Sequence, residues 1–163
     1  MSCRILVAKR ARTLDLILDG RLEHRYSIVL GRNAAADKSV EGDHATPLGE
    51  FYICAKNPRS KFFLSLCISY PNAEDAERGL AAGLIGVEEH RQILDAIHAG
   101  RMPPQHTRLG GEIYIHGHGA AEQAADAAPA ARDWTRGCIA LGNADMRDLY
   151  DRVDIGTAVR IDA

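Results

Sequence analysis

His116 and Cys138 each stand at the edge of an apolar segment, the arrangement that a thiol nucleophile and its base require. His116 closes an alternating run in Ile113-Tyr-Ile-His-Gly-His-Gly119, and Cys138 follows Gly137 and enters the apolar run Ile139-Ala140-Leu141. Both positions read as strand ends, where two side chains can meet. Taken alone, Cys138 has a second reading, because a free cysteine is among the most buried residue types and often acts as a small hydrophobe. Thr135-Arg136-Gly137 in front of it shifts the balance, since glycine lets the backbone approach a ligand closely and a guanidinium favours thiolate over thiol.

The chemistry such a pair supports is acyl transfer. The thiol must lose its proton and attack a carbonyl, and preorganised donors must hold the resulting oxyanion. Cys138 is then the nucleophile, and His116 the base that takes the thiol proton and returns it to the leaving amine. Arg136 cannot be the base, because a guanidinium stays protonated, but it suits bidentate grip on a substrate carboxylate. His118 either lines the acceptor side of the cleft and tunes the field around Cys138, or is held by a backbone partner. Trp134 reads as a core anchor more readily than as a stacking wall for a sugar or peptide. Thr135 reads as a loop-fixing hydrogen-bonder.

Two other classes of function compete. His116 and His118 form an H-x-H pair suited to a metal-dependent hydrolase, with His44, His90, His98, His106 or Cys138 as a third ligand. No carboxylate or further histidine lies at a ligand-like offset near His116, so the expectation is a site without metal or cofactor. A non-catalytic peptide-binding domain is the other reading, though a binding module gains little from an oxidisable thiol in a cleft.

Ile115-His116-Gly117 followed by Thr135-Arg136-Gly137-Cys138 resembles the signature of the L,D-transpeptidase catalytic domain, the YkuD family. Ala45-Thr-Pro-Leu-Gly-Glu-Phe-Tyr-Ile53 is similar to that family's Thr-Pro-x-Gly-x-Phe-x-Ile element, and Leu66-Cys-Ile-Ser-Tyr-Pro-Asn72 resembles its YafK-like branch. Most members carry histidine where this chain has Arg136, and the insert between His116 and Thr135 is longer than usual. The resemblance implies peptidoglycan stem peptides as partners, cleavage after the diamino acid, and a thioester that an amine or water resolves. A hydrolytic variant, L,D-carboxypeptidase or amidase, uses the same site. It further implies an oxyanion hole from the amides of Gly137 and Cys138, a main-chain carbonyl near Gly117 that orients His116, a role in wall biogenesis and cell shape, and a periplasmic or envelope location.

Short strands must position this pair. Arg4 to Val7, Leu14 to Leu18 and Tyr26 to Leu30 carry apolar or alternating runs, with Asp19-Gly20 as a hairpin signal, and Phe51 to Ala55 returns to strand. The polar stretch Gly31 to Pro47 is a long loop, functional or mobile by its length. A helix is expected from Val87 to Ala99, stopped by Gly100, and another after Asn143 as N-cap, reaching residue 152, with Met146, Leu149, Tyr150 and Val153 inward. Ala158 to Ile161 forms the last strand. Ala120 to Ala131 reads as a surface helix or as a flap over the cleft. The fold expected is α+β, mainly β: a curved mixed sheet or small sandwich with peripheral helices.

A chain of 163 residues, 46% hydrophobic, suits one domain over residues 1–163. With 20 Lys plus Arg against 22 Asp plus Glu, its charge gives no reason to expect nucleic acid as partner. Lys9, Arg10 and Arg12 read as a solvated hairpin edge. No membrane-spanning run is visible and no signal-peptide stretch precedes Arg4, so a cytoplasmic location is the alternative to the envelope. Cys3, Cys54, Cys67 and Cys138 form no disulfide framework, and Cys54 and Cys67 read as core.

Overall fold

In the computed structural model, which describes residues 2–120 and 132–163, alternation along the first strands separates core from solvent. Ile5 and Val7 of β1 (Cys3–Ala8) and Leu14 and Leu16 of β2 (Thr13–Leu18) are buried, while their neighbours are partly or fully exposed. Asp19 and Gly20 both take positive φ, as the tight hairpin turn into β3 (Arg21–Ser27) demands. β4 (Gly49–Ser60) and β5 (Phe63–Ile68) make a second hairpin, followed by α1 (Ala73–Ala81) and α2 (Val87–His98). Then come β6 (Tyr114–His116), β7 (Ile139–Ala140), α3 (Asn143–Arg152) and β8 (Ala158–Asp162). The alanine-rich insert read as surface helix or flap lies outside the described residues, apart from Ala120.

The eight strands form one curled mixed sheet in the order β3-β2-β1-β8-β4-β5-β6-β7, so the expected mainly β class holds as a curved sheet with peripheral helices. β8, last in the chain, lies in the middle, parallel to β1 and antiparallel to β4. Its buried Val159 and Ile161 join the two hairpins into one core with Leu66, Ile115 and Leu141. α3 lies over β5 and contributes Met146 and Leu149 to the same core. A smaller cluster of Ala76, Ile85, Ile93 and Leu109 holds α1 and α2 together.

Several expectations are corrected. The third strand runs from Arg21 to Ser27, not from Tyr26 to Leu30, because Val29 and Leu30 cross to the far edge. There Val29 N–H donates to Ala140 O at 3.0 Å and Ala140 N–H to Val29 O at 2.9 Å, so the chain after β3 bridges β7 and draws the curled sheet together. The fourth strand runs past Ala55 to Ser60, since its polar outer half, with Lys56, Asn57 and Arg59, belongs to a projecting hairpin. Two helices, not one, fill residues 73–98. α1 was hidden because its sequence is polar, and it is specified by a reciprocal cap in which Asn72 Oδ1 accepts from Asp75 N at 2.9 Å and Asp75 Oδ2 from Asn72 N at 2.9 Å. α3 begins as expected, but Gly142 is its N-cap, which frees the Asn143 side chain for other work.

Lys9 and Arg12 are not a solvated edge either. The Lys9 ammonium is buried, donating to Ala36 O at 2.7 Å and Thr46 O at 2.6 Å, and burial pushes its pKa down. Arg12 makes a bidentate pair with Asp133, at 3.0 and 2.6 Å. The long loop from Gly31 to Pro47 is pinned: Asp43 accepts from the amides of Ser39, Val40 and Ala45 at 2.8 to 3.1 Å and from buried Lys38 at 3.0 Å. Those donors hold the Asp43 carboxyl below the usual carboxylate range against the opposing effect of burial.

Candidate active site

His116 is the last residue of β6, and Cys138 stands one residue before β7. These strands run parallel, with Ile115 opposite Ile139 and His116 opposite Ala140, so continuing the register puts Cys138 beside Tyr114. The sequence reading of two strand-end residues on neighbouring segments describes this arrangement, with the sulfur and the imidazole two positions apart along the register.

Gly117 O accepts from His116 Nδ1–H at 2.6 Å. A carbonyl can only accept, so this contact selects the tautomer that leaves Nε2 as the basic nitrogen. The ring stacks on Phe62, with centroids 4.5 Å apart and planes 18° from parallel, and lies 5.8 Å from the Trp134 ring. Burial pushes the His116 pKa down to about 4, the charges of His118 and Lys61 act in the same direction, and only the Gly117 carbonyl opposes them. At neutral pH the imidazole is therefore uncharged.

The Cys138 thiol donates to Glu112 O at 3.4 Å, and its sulfur accepts from Tyr114 N–H at 3.4 Å. Among the described residues these are its hydrogen-bond partners, and the imidazole is not one of them. Burial pushes the thiol up to about 11 and Glu112 adds to that, against the opposing Tyr114 amide and the more distant Lys38 and Lys61. The Arg136 side chain is exposed, and the charges with the largest effect on the sulfur are those of Glu112, Lys38 and Lys61. The resting pair is thus a neutral thiol and a neutral imidazole.

The turn carrying the sulfur is built from short backbone approaches. Thr135 Oγ1 donates to Cys138 O at 2.7 Å and accepts from Gly137 N–H at 3.1 Å, which fits the loop-fixing role read for Thr135. The same bond occupies the Gly137 amide assigned by resemblance to an oxyanion hole, leaving it available only if the hydroxyl lets it go. Gly137 sits at φ +131°, and a Cβ there would meet Ala45 O at 2.7 Å and Ile113 Cδ1 at 3.0 Å. The Ala45-Thr46-Pro47 block therefore floors this turn, with Thr46 Oγ1 accepting from Gly31 N–H at 3.1 Å.

Asn143 organises the loop after His116. Its Oδ1 accepts from His118 N–H at 2.9 Å and Gly119 N–H at 3.0 Å, and its Nδ2 donates to Gly119 O at 3.1 Å. A Cβ on Gly117 would stand 2.5 Å from that Oδ1, so glycine is what lets the clamp close. His118 is 8% exposed and its ring lies 5.8 Å from Trp134. Trp134, half-buried, is an aromatic wall shared by Phe62, His116 and His118 rather than a core anchor. His118 lies beyond β6, and among the described residues no three of His, Cys, Asp and Glu converge as metal ligands would.

Sequence reasoning missed Phe62, Glu112, Asp133 and the clamp role of Asn143. Phe62 comes from the tip of the β4–β5 hairpin, far along the chain, and no local pattern links it to His116. Asn143 was visible only as a helix start.

The curled mixed sheet with peripheral helices is the fold of L,D-transpeptidase catalytic domains. Residues 3–161 match the model of the YkuD family, the L,D-transpeptidase catalytic domain, and the chain belongs to that family. Members of this family act on peptidoglycan stem peptides. No curated protein matches the chain. Among solved structures it is similar to the helical cell shape determining protein Pgp2 from Campylobacter jejuni, at TM-score 0.66 and 24% identity over 99% of this chain and 47% of that one. An L,D-transpeptidase from Mycobacterium smegmatis superposes at TM-score 0.59 and 14% identity, over 99% of this chain and 59% of that one. Bd1075 from Bdellovibrio bacteriovorus gives TM-score 0.59 and 20% identity, over 98% of this chain and 47% of that one. These are likenesses of fold, and the chain spans about half the length of these neighbours. No described helix is long and apolar enough to cross a membrane.

Proposed function

We propose that this chain is a cysteine acyltransferase of the cell envelope that forms a thioester between Cys138 and a peptidoglycan stem peptide, with His116 as general base. The observation that carries this reading is the 2.6 Å bond from His116 Nδ1–H to Gly117 O, which leaves an uncharged imidazole with Nε2 unprotonated on the strand beside the thiol. The sulfur's present partners are a carbonyl and an amide, so activation requires the side chain to turn from Glu112 O toward Nε2 as substrate enters. Proton transfer then accompanies attack on the carbonyl, because neither a standing thiolate nor a standing imidazolium is favoured at neutral pH. The Cys138 amide is the oxyanion donor in this scheme, joined by that of Gly137 once Thr135 Oγ1 releases it. The imidazolium returns its proton to the departing amine, and an incoming amine or water resolves the thioester.

Incubation with a defined disaccharide-tetrapeptide, with and without an amine acceptor, tests this by mass spectrometry. The expected result is an acyl adduct on Cys138 and a released terminal amino acid. The resolved product tells transfer from hydrolysis: cross-linked peptide with acceptor present, free tripeptide without it. Unchanged substrate and unmodified protein under reducing conditions would overturn the reading.

A further inference from the structure

Beside the candidate active site lies a cavity of about 700 Å³ whose wall is unusually basic. Among the described residues, Arg10, Arg12, Arg32, Arg132 and His118 face it, against one acid, Asp133. That acid is already committed: both its oxygens bind Arg12, and Oδ1 also accepts from Leu30 N–H at 2.9 Å. Arg10, Arg32 and Arg132 make no ion pair among the described residues. Three guanidinium groups with no ion pair among the described residues thus converge on one concavity in a chain whose formal net charge is −2. A concave, low-dielectric wall of one sign focuses its field on whatever enters, and planar guanidinium forks match carboxylates two oxygens at a time.

Position says which anion. Ala140, on the cavity wall, is two residues beyond Cys138, roughly 7 Å along a strand. His118 faces both the cavity and Trp134, the ring that also neighbours His116. A peptide whose carbonyl sits at the sulfur therefore delivers into the cavity groups one to three residues away. Ile28, Val29 and Ala140 give that stretch an apolar floor for its methylenes. The volume suits a few peptide residues.

We infer that this cavity binds the free carboxylates of a short acidic peptide held next to Cys138, with Arg10, Arg32 and Arg132 as the specificity-determining contacts and Arg12–Asp133 as their fixed support. The inference rests on the acyl-transfer reading for the identity of the peptide as a stem peptide, and not for the cavity's preference for carboxylates.

Calorimetric binding to Cys138→Ala protein, which cannot turn over, tests it with two probes: a tetrapeptide stem with free carboxylates, and the same peptide amidated. The acidic peptide is expected to bind at least tenfold more tightly than the amidated one. Arg10→Gln/Arg32→Gln/Arg132→Gln in the same background should erase that difference while leaving amidated-peptide binding unchanged. The three guanidinium groups make no ion pair among the described residues, so the thermal midpoint should hold, and the single Arg32→Gln variant gives the same readout with a smaller loss if it does not. Equal binding of both peptides, or acidic-peptide binding insensitive to the triple substitution, would overturn the proposal. So would inorganic phosphate binding more tightly than the acidic peptide. The wild-type adduct assay separates the two readings: carboxylate-dependent binding without a thioester removes the acyl-transfer function alone, and a thioester with binding insensitive to the arginines removes the cavity alone.

Discussion

At His116 one backbone carbonyl decides which nitrogen is basic, and burial decides that the ring is uncharged. Because the folded ring ionises near 4 and the unfolded one near 6.5, the unfolded chain binds the extra proton between those values. The His116 contribution to stability is therefore complete above pH 6.5 and lost as pH falls toward 4, by about 3 kcal/mol. Asp75 acts in the opposite sense: burial raises its carboxyl to about 6, so its contribution is present below the ordinary value of 3.8 and lost as pH rises through 6. Urea titrations of His116→Gln against wild type isolate the first effect. The stability difference should move in the variant's favour by about 3 kcal/mol between pH 7 and pH 4, and a pH-independent difference would show the ring is not held neutral. For Cys138, a thiol raised to about 11 should alkylate with iodoacetamide on the order of a hundredfold more slowly than a free thiol at pH 7, accelerating steadily toward alkaline pH. Fast labelling at pH 7 would instead mean a standing thiolate.

Two elements carry the geometry of these residues, the Thr135–Cys138 turn and the loop clamped by Asn143. Gly137→Ala forces a side chain onto a φ of +131° and into Ala45 O, so a loss of about 1–3 kcal/mol is expected in denaturant midpoints, with acyl transfer lost beyond what stability explains. Asn143→Ala strands two amides and a carbonyl of the His118–Gly119 turn, a cost of about 1–3 kcal/mol, whereas Asn143→Asp keeps the acceptor and should fall between. If Asp and Ala behave alike, the amide-accepting oxygen is not what matters. The expected helices at 87–99 and after 143 were readable because their apolar faces or stop signals are local. α1 was not, because its sequence is polar and its burial comes from packing onto Leu109, thirty residues further on.

For the whole molecule, the decisive contact is the one between its two ends of the sheet. The Val29–Ala140 bridge, extended by Thr135 N–H to Leu30 O at 3.2 Å and Arg32 N–H to Thr135 O at 3.1 Å, ties the segment after the first hairpin to the Thr135–Cys138 turn. Val29→Pro deletes the donor to Ala140 O and should cost about 1–3 kcal/mol. Hydrogen exchange is expected to quicken at residues 135–141 while the β1–β2 hairpin keeps its protection. Uniform loss of protection would mean the closure is part of one indivisible core.

The chemistry-bearing pair, the mainly β class and most strands follow from residue types and short-range alternation, because these depend on neighbours in the chain. The Ile-His-Gly and Thr-x-Gly-Cys segments carry the family resemblance whatever surrounds them. Only the tertiary structure puts β8 in the centre of the sheet, Phe62 over His116, Asp133 against Arg12, and four arginines around one cavity. Those pairings join residues tens of positions apart, and their energies come from burial and charge in a shared space that no local pattern encodes. The protonation of the pair belongs there too, since desolvation exists only once the sheet has curled around it.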